Sequence, residues 1–512
     1  MKAYFGGIYM LEIKNVSISA VINDRKIIEN FSFVLNPKDK AVIIGEEGNG
    51  KSTLLKFIFD ERSVSDYCNH TGEVNKKGLF AYLPQFFPME YLHKTVEEFF
   101  IDDEPTKHIQ ILMQLGLPHD LISSSQRINT LSGGEKVKMH LAKILMSQPD
   151  VLLLDEPTND IDLDTLRWLE SFIKNSNIPI IFISHDETLI ENTANVIIHI
   201  EHLMRKTRCK ITVINSKYSN YVKARNLAFD KQMMVAKKQR SDHKNQMERW
   251  QQIYNRVDHE QRTVSRQNPG GARLLKKKMK SVKSMGKRLE KGAAEFLTIP
   301  QIEEAILTQF DPMINIPNGK VVLSLDLPKL AIGGKQLARS IQLDIIGSGH
   351  IGIVGKNGVG KSTLLRQIWK VLKDRQDITA AYMPQDYAEV LDYEQSVIDF
   401  LASDSRKDTI TKVRTFLGCM KFTHDEMMGQ IGNLSGGQKA KILFLDMVLK
   451  KANVLLLDEP TRNFSPLSAP EIRNTLALFN GVIISISHDR KYLDEVCKQV
   501  YEFTYCGLVI RK

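Results

Sequence analysis

Short apolar runs recur along the chain, each stopped by glycine, acid or serine. "AVIIG" (Ala41–Gly45), "VLLLDE" (Val151–Glu156) and "PIIFIS" (Pro179–Ser184) lie in the first half. "IGIVG" (Ile351–Gly355), "VLLLDE" (Val454–Glu459) and "VIISIS" (Val482–Ser487) lie in the second. Apolar runs without alternation are the pattern of strands buried on both faces of a parallel sheet. Their polar ends then fall at the sheet's C-terminal edge, where ligands sit in such folds. "LEIKNV" from Leu11 reads as a further strand, and Met10 just before it is a candidate start.

The middle of the chain keeps a different period. Leu275, Met279, Val282, Leu289, Ala293 and Phe296 recur at three- and four-residue steps, and Met247, Trp250 and Tyr254 do the same upstream. These are the seams of two facing helices. "NPGG" (Asn268–Gly271) between them is expected to stop the first helix and reverse the chain. An outgoing arm of roughly 40 residues would extend about 60 Å. The expected division is a first domain over 1–215, a helical hairpin over 216–312 with its tip near 261–276, and a second domain over 313–512.

The two strand sets belong to a tandem repeat. "GEEGNGKST" (Gly45–Thr53) returns as "GKNGVGKST" (Gly355–Thr363), "LSGGEKVK" as "LSGGQKAK", "VLLLDEPT" as "VLLLDEPT" and "ISHD" as "ISHD". Ser132 and Ser435, Glu156 and Glu459, His185 and His488 are each 303 residues apart. Each glycine-rich loop follows a strand and opens a helix, as a phosphate-binding loop requires. Gly45, Gly48 and Gly50, with Gly355, Gly358 and Gly360, free backbone N–H groups to wrap phosphates at a helix N-terminus.

The remaining roles follow from residue type and place. Lys51 and Lys361 would reach the terminal phosphates of ATP, flanked by Thr53 and Thr363. Ser52 and Ser362 would ligate Mg²⁺, with Asp155 and Asp458 in the metal shell and Gln85 and Gln385 sensing metal and water. Glu156 and Glu459 would orient the attacking water. His185 and His488 would contact the γ-phosphate.

That order of motifs resembles the ATP-binding-cassette ATPases across nearly all of both halves. The resemblance implies two tandem α/β P-loop ATPase domains, an ATP hydrolase, and composite sites. Ser132, Gly133 and Gly134 would complete the site on Lys361, and Ser435, Gly436 and Gly437 the site on Lys51. Two regions depart from the pattern. "NDID" (Asn159–Asp162) carries Asp160 where relatives commonly have His, and "RNFS" (Arg462–Ser465) lacks the usual aspartate. Unequal hydrolysis at the two sites is the expected consequence. No aromatic residue upstream of either loop suits adenine stacking.

Charge changes the picture most. Between Asp230 and Gly292 there are eighteen Lys/Arg against six Asp/Glu, a net +12 where the whole chain carries +10. Ordinary solvated helices mix signs into i,i+4 pairs, so a polyanionic partner is expected. The long basic hairpin is similar to the interdomain linker of the ABC-F family, cytosolic tandem cassettes that bind ribosomes. "NSKYSNYVKAR" (Asn215–Arg225) is similar to the tyrosine-rich signature at that point.

Gln85 to Ser132 spans 47 positions and Gln385 to Ser435 spans 50, which leaves no room for the arm insertion of housekeeping members. With "TRNFSPLS", "SRQNPGGARLLKKKMK" and no C-terminal extension, the chain resembles the Lsa/Vga group of antibiotic-resistance ABC-F proteins. That resemblance implies a 70S ribosome partner, through 23S rRNA and P-site tRNA, entered at the exit (E) site. A linker tip near the peptidyl-transferase centre would displace lincosamides, pleuromutilins and group A streptogramins. Arg262, Arg266, Gln267, Asn268, Arg273, Lys276, Lys277, Lys278 and Lys280 are the candidate RNA or tRNA contacts.

Two other readings stand beside this one: a factor relieving stalled ribosomes without a drug role, and the ATPase subunit of an exporter. No apolar run reaches the roughly 18 residues of a membrane span. Five scattered cysteines suit a reducing compartment. The expected protein is cytoplasmic and monomeric with intramolecular cassette pairing, binding neither a membrane subunit nor DNA.

Overall fold

A computed structural model describes residues 9–22, 24–101, 109–117, 119–122, 124–203, 208–263, 269–293, 296, 309–402 and 406–511. The chain forms two compact units, Met1–Tyr218 with Glu303–Lys512, and Ser219–Ile302.

The first unit holds two copies of one α/β architecture. In the first copy, β3 (Lys40–Ile44), β5 (Phe80–Leu83), β6 (Val151–Asp155), β7 (Ile180–Ile183), β8 (Val196–Leu203) and β9 (Arg208–Ile214) form a sheet in the order β5-β6-β7-β3-β8-β9. All neighbours pair in parallel except β8 and β9. Every residue of β3, β6 and β7 is buried, which is why these strands carry no alternation. A smaller antiparallel sheet runs β2-β1-β4, from β1 (Leu11–Ala20), β2 (Lys26–Leu35) and β4 (Cys68–Lys76). Its apolar face shares a core with the first helix, Lys51–Phe59.

The second copy repeats the plan. A ribbon of β10 (Val321–Ile332) and β11 (Lys335–Ile346) accompanies a sheet ordered β13-β14-β15-β12-β16-β17. Here β12 is Gly349–Val354, β13 Ala380–Met383, β14 Val454–Asp458, β15 Val482–Ile486, β16 Gln499–Thr504 and β17 Gly507–Ile510.

This strand order is what builds a site. In each copy the glycine-loop strand lies beside the histidine strand, which lies beside the carboxylate strand. Register brings Asp155 level with Ile183, and Asp458 level with Ile486. All three motifs therefore leave one edge side by side.

The second unit is a helical hairpin, with an outgoing helix over Tyr218–Thr263 and a return helix over Pro269–Ala293. The outgoing helix has 46 residues, about 69 Å at 1.5 Å per residue, longer than expected. Val257, Met279 and Val282 form its buried seam, with Trp250 and Tyr254 against them. The Trp250 indole donates to Val282 O at 2.8 Å, and a Cβ on Gly286 would lie 2.8 Å from that ring.

Part of the expected turn, Asn268, lies outside the described residues. Pro269, Gly270 and Gly271 do not reverse the chain; they are the first turn of the return helix. Proline suits a first helical position because its missing N–H has no acceptor there anyway.

Candidate active sites

Each glycine loop must bend tightly before its helix. Gly45 and Gly355 have φ near +150°, and a Cβ on Gly45 would lie 2.3 Å from Ile200 O, so only glycine fits. Gly48, Gly50, Gly358 and Gly360 are also at positive φ. The loops close over their own lysines. Lys51 Nζ donates to Gly45 O and Glu46 O at 2.9 and 3.0 Å, and Lys361 Nζ to Gly355 O and Lys356 O at 2.7 and 2.9 Å.

Beside Lys51, Ser52 Oγ donates to Asp155 Oδ1 at 2.9 Å, and Tyr82 Oη to Asp155 Oδ2 at 2.8 Å. Glu156 stands at φ 47°, a strained conformation for a non-glycine residue that aims its carboxylate off the strand end. It accepts from Gln85 Nε2 at 2.8 Å and Asn159 Nδ2 at 2.7 Å, and meets His185 Nε2 at 3.1 Å. Burial would raise this carboxyl, but His185, Lys51 and Asn159 outweigh it and hold it down to about 2.

The Lys361 site has the same residues in a looser arrangement. Glu459, at φ 54°, accepts from the His488 backbone N–H at 3.3 Å, and its carboxylate is 3.8 Å from the His488 ring. Burial and the adjacent Asp458 charge push the Glu459 carboxyl up. Burial and Lys361 push His488 down to about 4, leaving a neutral ring. Asp458 Oδ2 and His488 Nδ1 are buried with no hydrogen-bond partner among the described residues.

The donor chemistry fits Mg²⁺. A serine hydroxyl, a carboxylate and an amide oxygen are hard oxygen ligands. Such an ion keeps several waters and substrate phosphates, so few protein ligands are needed. Ser52, Asp155 and Gln85, or Ser362, Asp458 and Gln385, would hold it, and it would supply charge neutralisation at the phosphates.

Each cavity draws on both copies. One joins Lys361, Ser362, Thr363, Gln385, Glu459 and His488 to Gly133 and Asp160. The other joins Lys51, Ser52, Thr53, Gln85, Glu156 and His185 to Arg462 and Asn463. Ser132 and Ser435 cap the helices Gly133–Met146 and Gly436–Leu449 through reciprocal boxes with Glu135 and Gln438. Of the signature residues, Gly133 lines the Lys361 cavity, while Ser132, Gly134, Ser435, Gly436 and Gly437 do not line either cavity. A Cβ on Gly134 would lie 2.5 Å from Thr165 Oγ1 of its own copy, whereas Gly436 and Gly437 approach Glu47 of the opposite copy.

The family model described as "ABC transporter" matches residues 28–159 and 338–462, half of the chain. This chain is an ABC ATPase. It is similar to proteins of the F family and their bacterial counterparts. ATP-binding protein Uup of Buchnera aphidicola subsp. Schizaphis graminum is 28% identical over 98% of this chain and 82% of its own length. Putative ATP-binding protein YdiF of Bacillus subtilis is 27% identical, over 93% and 78%. ABC transporter F family member 5 of Arabidopsis thaliana is 28% identical, over 84% of this chain and 59% of its own length. Among solved structures, the archaeal ribosome recycling factor aABCE1, in complex with stalk protein aP1, shares the fold. Its TM-score is 0.57 at 16% identity, covering 95% of this chain and 87% of that one. The RNase-L Inhibitor gives 0.56 at 16%, covering 96% and 90%.

Three features of this ABC ATPase escaped motif reading. Asp160, which departs from the usual pattern, pairs across the copies at 3.0 Å with Arg462 of the departing "RNFS" region. Arg25 and Ile27 line the Lys51 cavity, and Ile332 and Leu337 the Lys361 cavity; these strand-edge residues stand where an aromatic was sought.

The third feature follows the two identical "ISHD" motifs, where charge diverges: Glu187 in one copy, Arg490 and Lys491 in the other. They meet. Lys491 and Arg473 reach Glu187 at 2.7 and 2.6 Å, and Arg490 reaches Glu170 at 2.7 Å and Asp186 at 3.2 Å. The signal was legible as opposite charge after matched histidines.

On the hairpin, Arg262, Arg273, Lys276, Lys277, Lys278 and Lys280 are exposed. Arg262 pairs with Asp258 at 2.8 Å and Lys278 with Glu260 at 3.4 Å. Arg266, Gln267 and Asn268 lie outside the described residues. Among the described residues no helix is long and apolar enough to cross a membrane.

Proposed function

We propose that this ABC ATPase is a ribosome-binding protein whose two cassettes close on ATP and so direct the basic hairpin at ribosomal RNA. The observation that carries the reading is the return helix. Arg273, Lys276, Lys277 and Lys280 are exposed and pair with no acid among the described residues. Outward cations without acidic partners suit a phosphate backbone better than they suit a self-contained helix. The ribosome also figures in the names of the structural neighbours, a recycling factor and a ribosome-bound archaeal Pelota and ABCE1 assembly.

In the finer form of the proposal the protein enters the exit (E) site. Its tip, near 261–276, reaches P-site tRNA and 23S rRNA by the peptidyl-transferase centre and displaces lincosamides, pleuromutilins and group A streptogramins. RNA is read at exposed single strands by stacking and polar contacts, which the tip residues could make.

Sedimentation tests the core of the reading. The Glu156→Gln/Glu459→Gln protein should co-pellet with 70S ribosomes in ATP, and Lys276, Lys277 and Lys280 changed together to Gln should weaken that binding. No pelleting in ATP overturns the proposal. Expression in a drug-sensitive host tests the finer form. Ribosome binding with an unchanged inhibitory concentration would favour a stalled-ribosome factor instead.

A further inference from the structure

The two phosphate-binding loops share their glycines and differ at the two positions after the first. One reads Glu46-Glu47, the other Lys356-Asn357. Two carboxylates in a loop that must hold a polyanion call for a physical account. Asn357 Nδ2 donates to Asp160 O at 2.6 Å, a neutral contact with the opposite copy.

Glu47 does something else. Its carboxylate accepts from the Gly437 backbone N–H, at the start of the signature helix. A Cβ on Gly436 or Gly437 would lie 3.2 Å from its two oxygens, so the glycines make the room it fills. A helix start of 14 residues offers partial positive charge and unpaired N–H groups. In a composite site those are the groups that meet a terminal phosphate. Glu46 points elsewhere. It accepts from Ser465 Oγ at 2.7 Å and from Ser468 Oγ, with Lys441 Nζ 4.0 Å away.

We propose that Glu47 gates the Lys51 site. Its carboxylate holds the signature amide that the terminal phosphate of ATP needs, so nucleotide must displace it and the Lys361 site fills first. Glu46 straps the loop to the opposite copy through Ser465 and Ser468 and does not touch that amide. The proposal rests on the composite reading of the two sites.

Calorimetric titration of ATP·Mg²⁺ into the full-length Glu156→Gln/Glu459→Gln protein tests it. Two classes of site are expected, the weaker one removed by Lys51→Ala. Glu47→Asn gives the loop what the other carries at Asn357, and should tighten the weaker class by about tenfold while leaving the tighter class unchanged. Glu46→Gln removes the same charge one residue away and should tighten neither. The gate is overturned if Glu47→Asn leaves both classes as they were, if Glu46→Gln matches it, or if Lys51→Ala removes the tighter class. Fewer than two ATP bound in every variant would instead refute the two-site reading, and the gate with it.

Discussion

Arg473 sets the most demanding test of the packing between the two copies. Its side chain is 3% exposed and donates to Glu187, 6% exposed, at 2.6 Å and to Glu495, 49% exposed, at 2.7 Å. The Glu495 pair is open to solvent and contributes at most about 1 kcal/mol. The Glu187 pair is buried, and removing one partner of such a pair costs about 3–5 kcal/mol because a charge is left stranded. Lys491 still reaches Glu187 at 2.7 Å, which argues for the lower end, about 3 kcal/mol. For a domain of about 150–250 residues that corresponds to an apparent Tm loss of roughly 6–12 °C. Arg473→Met keeps the volume and isolates the charge. Scanning calorimetry on Arg473→Met, Glu187→Met and the double variant closes the cycle. The double should be less destabilised than the sum of the singles, since no stranded anion remains. A Tm within about 2 °C of wild type for Arg473→Met, or strict additivity, would refute the argument.

Other expectations follow from single interactions. Gly286→Val drives a side chain into Trp250 and should destabilise the hairpin by about 1–3 kcal/mol, read as faster amide exchange along both helices. Changing Lys276, Lys277 and Lys280 to Gln should lower the salt dependence of RNA binding, by about 0.7–0.9 in log–log slope for each phosphate no longer neutralised. Arg462→Ala breaks a pair whose side chains are 26% and 54% exposed, so stability should change by less than about 1 kcal/mol while ATP turnover falls. Chelating Mg²⁺ with EDTA should abolish phosphate release in a malachite green assay.

Sequence made the repeat, the buried strands and the motif order legible because these are local. A run such as "VLLLD" can be read without knowing its neighbours, and a glycine loop announces its turn. What it could not show is how two copies meet. Asp160 and the "RNFS" segment read separately as departures, yet Asp160 and Arg462 form one ion pair. Glu187, Arg490 and Lys491 carry opposite charge after matched histidines, but only the fold brings them into one cluster. Pro269 is locally ambiguous, since proline both ends helices and begins them; the seam already starting at Leu275 decides for beginning. Val257 was missed because the outgoing helix has a weak apolar period, and its burial comes from the facing residues Met279 and Val282.

The same distinction bears on how two copies with matched motifs come to differ. Glu156 is gripped by Gln85, Asn159 and His185, and His185 in turn meets Phe464 O of the other copy at 2.7 Å. That carboxylate is ionised and oriented before any substrate arrives. Glu459 has a backbone N–H at 3.3 Å and a ring at 3.8 Å, and the first copy offers His488 Nδ1 no acceptor among the described residues. Part of the difference arises in the segments that cross between copies, "NDID" and "RNFS", which give the first site Asn159 and Phe464 O. Under the proposed gate, with Glu47 on the signature amide, the Lys51 site would have Glu156, the group proposed to orient water, in place and its expected phosphate place taken. The Lys361 site would have its expected phosphate place open, and its Glu459 is loosely held. Neither site is then complete alone, and a chain built this way would commit to hydrolysis only after both nucleotides have drawn the copies together.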